Sequence, residues 1–431
     1  MTPAPLLMLL LAAGPAPVPV ATPEPAARLP ELEAAARAAH ERRDFAAFLA
    51  RTEEALQLRP DSPRLLYNRA CGLALTGQQA RALAALADLA DRQLDFDVQA
   101  EPDFAALRPL PGWADVEARF AALRQPRGRA VTVLRLPPGP WLIEGLAHDP
   151  RSGRFFASSV RQRRVLLLSS SAGATQVDDF VPRGRDGLLS PLALRADPVR
   201  RRLWVTSAAL PEGEGFEAGQ AGRAELLAFD LDDGRLLQRL PVPGPGDHNL
   251  NDLELDPRGG LYLSDAASGQ LWRLAPGAGA LTQLVPAGRL RSPQGLALSA
   301  DGQALYVADY ANGLFRLELA TGSLEPVAAP ETLVLAGIDG LLREGDALVA
   351  VQNGIRPHRV VRLALAADGR RVSAAEVLAM GLPDLDEPTL AVLAGGQLYV
   401  VARSQWTQLG GGHGPPPGDL PPAVVVALRK P

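Results

Sequence analysis

One pattern of apolar and polar positions recurs six times after about residue 140. Each copy begins with a polar residue and a small or turn residue, continues with two or three apolar residues and a turn, and ends in a strand rich in Val, Leu and Tyr. The copies begin at Glu144, Ser190, Asn251, Gln294, Asp339 and Glu387. These starting points are about 43 to 61 residues apart, a spacing typical of the blades of a β-propeller.

Each copy also predicts the same further strands. The second strands are predicted at residues 154–159, 202–207, 260–265, 304–309, 347–353 and 397–403. The third strands are predicted at residues 164–169, 225–230, 270–274, 313–317, 359–363 and 423–428. The last copy lacks an outer strand, whereas a spare strand, residues 130–136, precedes the first copy. If this strand completes the last blade, the ring closes and two open sheet edges disappear. The sequence therefore predicts a mainly β fold, a six-bladed β-propeller over residues 130–429.

The preceding segment, residues 29–124, has apolar residues at helical spacing and predicts a small α-helical region. Pro63 is placed in the first turn of one of its helices, where the missing N–H is not needed. A turn at residues 42–45 precedes a similar turn at residues 76–78 by about 34 residues, so the segment resembles a pair of tetratricopeptide repeats. Such a region either offers a groove to a protein partner or forms a cap packed against the propeller, and we favour the cap.

The composition is that of a soluble globular protein and disfavours two classes of partner. The formal net charge is −4, with 47% hydrophobic and 21% charged residues. No strong charge imbalance points to nucleic acid or to an anionic membrane surface. The single cysteine, Cys71, cannot form an intrachain disulfide, so stability must come from packing.

Residues 1–21 contain a short apolar run followed by alternating Pro and small residues. The run is too short to span a bilayer but fits the core of a secretory signal, although no basic residue precedes it. We therefore expect export to the periplasm or the cell exterior and no membrane span in the mature protein. The alternative is a Pro- and Ala-rich leader on a cytoplasmic protein.

The first residues of the six copies are expected to line the propeller channel as one layer near one mouth. All six carry a side-chain oxygen, and three are carboxylates: Glu144, Asp339 and Glu387. Carboxylates that converge in a narrow channel repel one another unless a cation compensates. Oxygen ligands favour Ca²⁺, and the layer has no His or Cys that would favour zinc. The alternative is a polar, water-filled channel that binds no metal.

Two long loops are expected on the same face as this layer. They are residues 208–223 in the second copy and residues 404–422 in the last copy, and they either roof the channel or are surface insertions. Trp406 and residues 353–358 belong to the same class of loop. The sequence contains no G-x-S-x-G, H-E-x-x-H or phosphate-loop motif.

Four short motifs resemble a known family. They are Glu144-Gly145-Leu146, Leu250-Asn251-Asp252, Pro293-Gln294-Gly295-Leu296 and Ile338-Asp339-Gly340-Leu341. With them, the chain from about residue 130 to residue 428 resembles the senescence marker protein, gluconolactonase and luciferin-regenerating enzyme family, six-bladed propellers that hydrolyse sugar lactones at a central divalent metal. The resemblance implies metal ligands at Glu144, Gln294 and Asp339 and a substrate contact at Asn251. Gln294 replaces the Asn of the family, and Asn249 stands where enzymes of the family can carry an Arg.

The residues and the resemblance together predict a metal-dependent hydrolase of a sugar or other small lactone. Glu144 and Gln294 would hold the ion, for which Ca²⁺ is the leading candidate. Asp339 would bind the ion and position or deprotonate the attacking water. Asn251 and Glu387 are candidate substrate contacts. The alternative is a non-enzymatic propeller that binds a ligand or a protein, with the helical region as the interaction segment; the two departures from the family favour it.

Overall fold

The computed structural model of the chain describes residues 24–171, 174–410 and 418–428. The export signal predicted at residues 1–21 lies outside these residues. Within them, no helix is both long enough and apolar enough to cross a membrane. The described chain has an N-terminal helical region followed by six β-sheets, which agrees with the mainly β class predicted from the sequence.

The helical region contains α1 (Glu24–Glu41), α2 (Phe45–Leu58), α3 (Pro63–Leu75), α4 (Gln79–Asp91) and α5 (Trp113–Leu123). Local chemistry sets the helix ends. Asp44 caps α2, because its carboxylate accepts a hydrogen bond from the N–H of Ala47 at 3.1 Å. Pro63 begins α3 as predicted, and Gly77 follows α3 with a φ of +75°. Helices α1 to α4 pack consecutively on one another around buried apolar side chains.

The six sheets are the blades of a six-bladed β-propeller, as predicted. From the inner to the outer strand, blade 1 contains Ile143–His148, Phe155–Ser159, Arg164–Ser171 and Ala174–Val181, and blade 2 contains Ser190–Asp197, Arg202–Ala208, Ala224–Asp230 and Leu236–Pro241. Blade 3 contains Leu250–Leu255, Leu261–Asp265, Gln270–Leu274 and Thr282–Val285, and blade 4 contains Pro293–Leu298, Ala304–Asp309, Gly313–Glu318 and Leu324–Pro326. Blade 5 contains Ile338–Glu344, Ala347–Gln352, Arg359–Leu365 and Val372–Met380, and blade 6 contains Ala391–Ala394, Gln397–Arg403 and Val424–Leu428.

The inner strands form a closed ring, in which each contacts the inner strands of the two neighbouring blades and blade 6 contacts blade 1. Small residues permit this close approach. A Cβ added to Gly145 would lie 2.5 Å from the carbonyl oxygen of Leu192 in blade 2. A Cβ added to Gly340 would lie 2.7 Å from the carbonyl oxygen of Thr389 in blade 6. The glycine that recurs near the start of the repeat is therefore a packing requirement of the channel.

The strand Ala130–Arg135 completes blade 6 by pairing with Val424–Leu428, as the sequence predicts. This pairing joins the beginning and the end of the propeller and covers an otherwise open sheet edge. A shorter strand, Arg127–Gly128, pairs with Met380 and Ala379 and adds a fifth strand to blade 5. The apolar and polar pattern of the chain did not predict this short strand.

The helical region packs against the propeller. Three propeller residues, Val334, Ala336 and Ile355, are buried in the same apolar cluster as the helices. The N–H of Asp95 donates a hydrogen bond to the carbonyl oxygen of Arg356 at 2.7 Å. Val334 and Ala336 precede the first strand of blade 5, and Ile355 and Arg356 lie between its second and third strands. The helical region thus lies on blade 5, an arrangement that the cap interpretation requires, while its likeness to tetratricopeptide repeats stays a prediction.

Candidate active site in the propeller channel

Four predicted site residues occupy the same position in their blades. Glu144, Asn251, Gln294 and Asp339 are each the second residue of an inner strand, at a bulge where the pairing with the second strand shifts. The structure brings their side chains together. The amide of Asn251 is hydrogen-bonded to that of Gln294, and the charge of Asp339 acts on Glu144. We call these four residues the channel layer.

The equivalent position in blade 2 is Leu192, so the prediction of Ser190 for this layer was wrong. In that blade the bulge begins after Pro191, which pairs with Ser207, two residues later than a layer position at Ser190 requires. The repeat pattern had instead matched Ser190 to Glu144 of blade 1, and Pro191 to Gly145. The backbone confirms the shift, because the carbonyl that faces Gly145 belongs to Leu192.

In blade 6 the same comparison identifies Thr389 instead of Glu387. The carbonyl of Thr389 faces Gly340 of blade 5, just as the carbonyl of Asp339 faces Gly295 of blade 4. Glu387 therefore lies two residues before the layer position, and its φ of +55° gives it a backbone conformation unlike that of a strand. The predicted ring of six oxygen-bearing side chains is thus interrupted by an apolar residue in blade 2.

Asn251 and Gln294 form a direct pair. The Nδ2 group of Asn251 donates to Oε1 of Gln294 at 2.6 Å, and Nε2 of Gln294 donates to Oγ of Ser292 at 3.3 Å. The other atom of the Asn251 amide, Oδ1, is buried without a hydrogen-bond partner among the described residues. A buried carbonyl oxygen without a donor is costly, so a ligand at this point would be stabilised.

Asp339 is buried, with 9% of its surface exposed, and one of its oxygens is held in place. The Nδ2 group of Asn353 donates to Oδ2 of Asp339 at 2.6 Å, and the hydroxyl of Tyr310 donates to Oδ1 of Asn353 at 2.9 Å. Burial raises the pKa of Asp339 to about 7. The hydrogen bond from Asn353 opposes this rise, and the charges of Asp252 and Glu387 add to it.

Glu144 is equally buried, with 5% of its surface exposed. Burial raises its pKa well above the usual range of a glutamate, and the charge of Asp339 adds to the effect. The indole N–H of Trp406 donates to Oε2 of Glu144 at 2.5 Å and opposes the rise. Trp406 begins a one-turn helix, Trp406–Leu409, in the long loop of blade 6, so this part of the loop does contact the channel.

Glu387 lies beside the layer and is bound by the same loop. The backbone N–H and the hydroxyl of Thr407 both donate to Oε2 of Glu387. The charge of Glu387 contributes to the raised pKa values of Glu144 and Asp339, so its carboxylate lies close enough to the layer to affect both. This position is compatible with the predicted substrate contact, which stays a prediction.

Asp252 is a further buried carboxyl that the sequence analysis did not assign. Burial raises its pKa to about 6, although Arg195 lies 3.8 Å away and opposes the rise. Its two oxygens accept backbone hydrogen bonds from Leu253 at 2.8 Å and from Leu296 at 3.0 Å. Asp252 therefore ties the inner strands of blades 3 and 4 together and adds negative charge behind the layer.

The donor set of the channel fits a hard cation in part. Asp339 and Glu144 each have one oxygen engaged by a donor, which leaves one carboxylate oxygen on each, and Oδ1 of Asn251 has no partner among the described residues. The carbonyl of Gln294, a predicted ligand, is turned to Asn251 instead. Among the described residues, no group of three or more His, Cys, Asp and Glu side chains has an arrangement typical of a metal centre. A metal here would therefore need amide oxygens as well as carboxylates.

Comparison with known proteins gives several solved structures that are distantly similar to this chain. No family model and no curated protein sequence matches the chain. A calcium-binding protein, regucalcin, from Agrobacterium tumefaciens is 21% identical with a TM-score of 0.47, over 69% of this chain and 93% of that one. A gluconolactonase from Xanthomonas campestris is 19% identical with a TM-score of 0.45, over 71% of this chain and 99% of that one. A luciferin-regenerating enzyme is 14% identical with a TM-score of 0.48, over 71% of this chain and 96% of that one. The solved structures similar to this chain thus include a regucalcin, a gluconolactonase and a luciferin-regenerating enzyme, the group that its sequence resembles.

Proposed function

We propose that the channel layer is the active site of a metal-dependent hydrolase that acts on a sugar or other small lactone. The observation that best supports the proposal is the pair of buried, interacting carboxyls, Glu144 and Asp339, beside the two amides of Asn251 and Gln294. Two buried carboxyls that interact with each other destabilise the fold when both are charged. Clusters of this kind are typical of functional sites, because a ligand supplies the missing compensation.

Glu144 and Asp339, with the amide oxygens of Asn251 and Gln294, would hold the cation, and Ca²⁺ suits such a set of oxygens. The bound ion would polarise the lactone carbonyl and lower the energy of the developing oxyanion. Gln294 would first have to give up its hydrogen bond with Asn251, which would then be free to contact the ring oxygens of the substrate.

Asp339 is the residue best suited to accept a proton from the attacking water. Its Oδ2 is fixed by Asn353, which gives the other oxygen a defined direction toward the attacking water. Glu387, at the edge of the layer, would accept a hydrogen bond from a substrate hydroxyl. Trp406 and Thr407 contact the two glutamates from the same loop and would limit the access of water.

The test is turnover of a panel of aldonolactones and acyl lactones by the purified full-length chain, with EDTA and with added Ca²⁺. We expect hydrolysis that EDTA abolishes and Ca²⁺ restores. Asp339→Asn should lower kcat by a factor on the order of 10² or more, the scale for loss of a positioned base. Ser190→Ala, which lies outside the layer, should retain activity. Absence of metal-dependent turnover across the panel would refute the proposal.

A second candidate function is a non-enzymatic propeller that binds a ligand or a protein partner. Two observations favour it: Leu192 interrupts the polar layer, and Trp406 already occupies one oxygen of Glu144. The helical region also has a cavity of about 240 Å³ that includes Arg37 and Arg64 with Glu101 and Asp103. The divalent metal content of protein purified without added metal separates the two functions. A stoichiometric ion supports the hydrolase, and a metal-free protein supports the binding function.

A further inference from the structure

One loop of blade 5 connects the helical region to the channel layer. We call residues 353–358, between the second and third strands of blade 5, the junction loop. Ile355 at its centre is 5% exposed and packs in the apolar core of the helical region. The carbonyl oxygen of Arg356 accepts the hydrogen bond from the N–H of Asp95 described above. The junction loop is therefore fixed to the helices by both side-chain packing and a backbone hydrogen bond.

Both ends of the junction loop contact the site. At one end, Asn353 donates to the carboxylate of Asp339 at 2.6 Å. At the other end, Nδ1 of His358 accepts a hydrogen bond from the backbone N–H of Glu387 at 2.9 Å. Between them, a Cβ on Gly354 would lie only 2.5 Å from Cα of Gly337 and 2.7 Å from Cζ of Tyr310. This packing leaves the loop little room to move without moving Asn353.

A buried cation next to the junction loop also depends on the helical region. Arg359 is 1% exposed, and its burial lowers the pKa of its guanidinium to about 10. Its guanidinium donates to Oε1 of Gln352 at 2.7 Å and to Oε1 of Gln93, in the helical region, at 3.0 Å. Gln352 in turn donates to the carbonyl oxygens of Val334 and Ala336. A buried cation without a hydrogen-bond acceptor is costly, so Gln93 of the helical region stabilises blade 5 by accepting this hydrogen bond.

We propose that Asn353 is a positioning residue for Asp339, and that the helical region holds Asn353 in place through Ile355 and Asp95. The helical region is then part of the active unit and not only an interaction module. Asn353 fixes the oxygen Oδ2, so that the other oxygen of Asp339 has a defined direction toward water and substrate. The inference rests on the proposed function of the channel layer. Displacement of a reacting group by about 1 Å costs a factor of about 10² in rate, so looser support of Asn353 should be measurable.

The experiment compares Asn353→Ala and Ile355→Ala with two further variants of the full-length chain. Val116→Ala removes carbon atoms from the same helical core at a residue of α5, outside the junction loop itself. Ile355→Val keeps the branched anchor and tests for rescue. For each variant, kcat and KM for the best lactone, the Ca²⁺ affinity by calorimetry, and hydrogen exchange of peptides that cover residues 338–344 and 353–358 are measured.

We expect Asn353→Ala and Ile355→Ala to lower kcat by about tenfold or more, with KM changed by less than about threefold. Ile355→Ala should also speed hydrogen exchange in both peptides without ligand, and Ile355→Val should restore most of the turnover. Val116→Ala should neither lower kcat nor speed hydrogen exchange in these two peptides. Full kcat in Asn353→Ala, or equal effects of Ile355→Ala and Val116→Ala, would overturn the proposal.

The hydrogen-exchange measurement separates this inference from the proposed function. If the wild-type chain neither binds Ca²⁺ nor hydrolyses any lactone, the proposed function has failed. In that case, faster exchange of residues 338–344 in Ile355→Ala, but not in Val116→Ala, still supports the link from the helices to the layer. Equal exchange in the two variants refutes that link.

Discussion

The buried carboxyls of the channel layer predict that Asp339→Asn stabilises the metal-free protein at neutral pH. In the folded chain the pKa of Asp339 is about 7, compared with 3.8 for an ordinary aspartate. The folded state therefore binds this proton more tightly than the unfolded state does. The contribution of Asp339 to the free energy of unfolding is then most favourable below about pH 4, and it is lost progressively as the pH rises from about 4 to about 7. Asparagine keeps the size of the side chain and can still accept the hydrogen bond from Asn353, but it carries no charge.

The size of the effect follows from the same pKa. A rise from 3.8 to about 7 corresponds to about 4 kcal/mol of destabilisation above neutral pH. Glu144 shares the repulsion with Asp339, so its own protonation relieves part of the cost in the wild-type chain. We therefore expect Asp339→Asn to be more stable than wild type by about 2 kcal/mol at about pH 7.5, and by much less at about pH 4.5.

Urea denaturation in the presence of EDTA, followed at both pH values, measures this difference. Asp346→Asn is the matched control, because Asp346 is an exposed carboxylate in the hairpin between the first two strands of the same blade. The control should change stability by less than about 0.5 kcal/mol at either pH. In the presence of saturating Ca²⁺ the order should reverse, because the wild type gains binding energy that the variant lacks. A variant that is less stable than wild type at about pH 7.5 in EDTA would refute the assignment of Asp339 to a repulsive cluster.

Three further predictions concern the packing around the site. Trp406→Phe keeps an aromatic ring but removes the donor to Glu144, and urea denaturation in EDTA should show a loss of about 1–3 kcal/mol in the free energy of unfolding; unchanged stability would contradict the role of the indole N–H. Gly145→Ala would place a Cβ 2.5 Å from the carbonyl oxygen of Leu192, and urea denaturation should show a loss of about 1–3 kcal/mol, whereas Gly279→Ala, which meets no atom within 4 Å, should be nearly neutral. A chain that begins at Arg129 should retain six complete blades at a lower Tm, whereas one that begins at Pro137 should lose the closing strand and aggregate; equal solubility by size-exclusion chromatography would refute the closure.

The fold was predictable because its signals are local and repeated. The alternation of apolar and polar residues, with turns at fixed offsets, predicted the second strand of every blade to within one residue. The closing strand followed from counting strands, since the last repeat had three and one strand was left over. The helix start at Pro63 followed from a residue type that is favourable in the first turn.

The site was predictable only where the repeats keep their register. Glu144, Asn251, Gln294 and Asp339 were found because a short motif marks the bulge in their blades. In blades 2 and 6 a proline follows the chosen residue, and the sequence does not show on which side of it the bulge lies. Contacts between distant segments were also out of reach. No periodicity connects Trp406 with Glu144 or Ile355 with the helices, since such pairs depend on how loops pack.

The connection between the helical region and the propeller explains why the helices lie on the blade that carries Asp339. The chain leaves α5 and first adds Arg127–Gly128 as a fifth strand of blade 5, and then adds Ala130–Arg135 to blade 6. Gly128 has a φ of +82°, and a Cβ at this position would collide with the carbonyl oxygen of Leu378 in blade 5. Because the same few residues extend one blade and lead into the strand that closes the next, α5 cannot leave blade 5 without breaking sheet hydrogen bonds. The helical region is thus attached to blade 5 at two places, by Arg127–Gly128 at the outer edge of the blade and by the junction loop next to the channel. Two such attachments restrict the rotation of the helical region more than either alone.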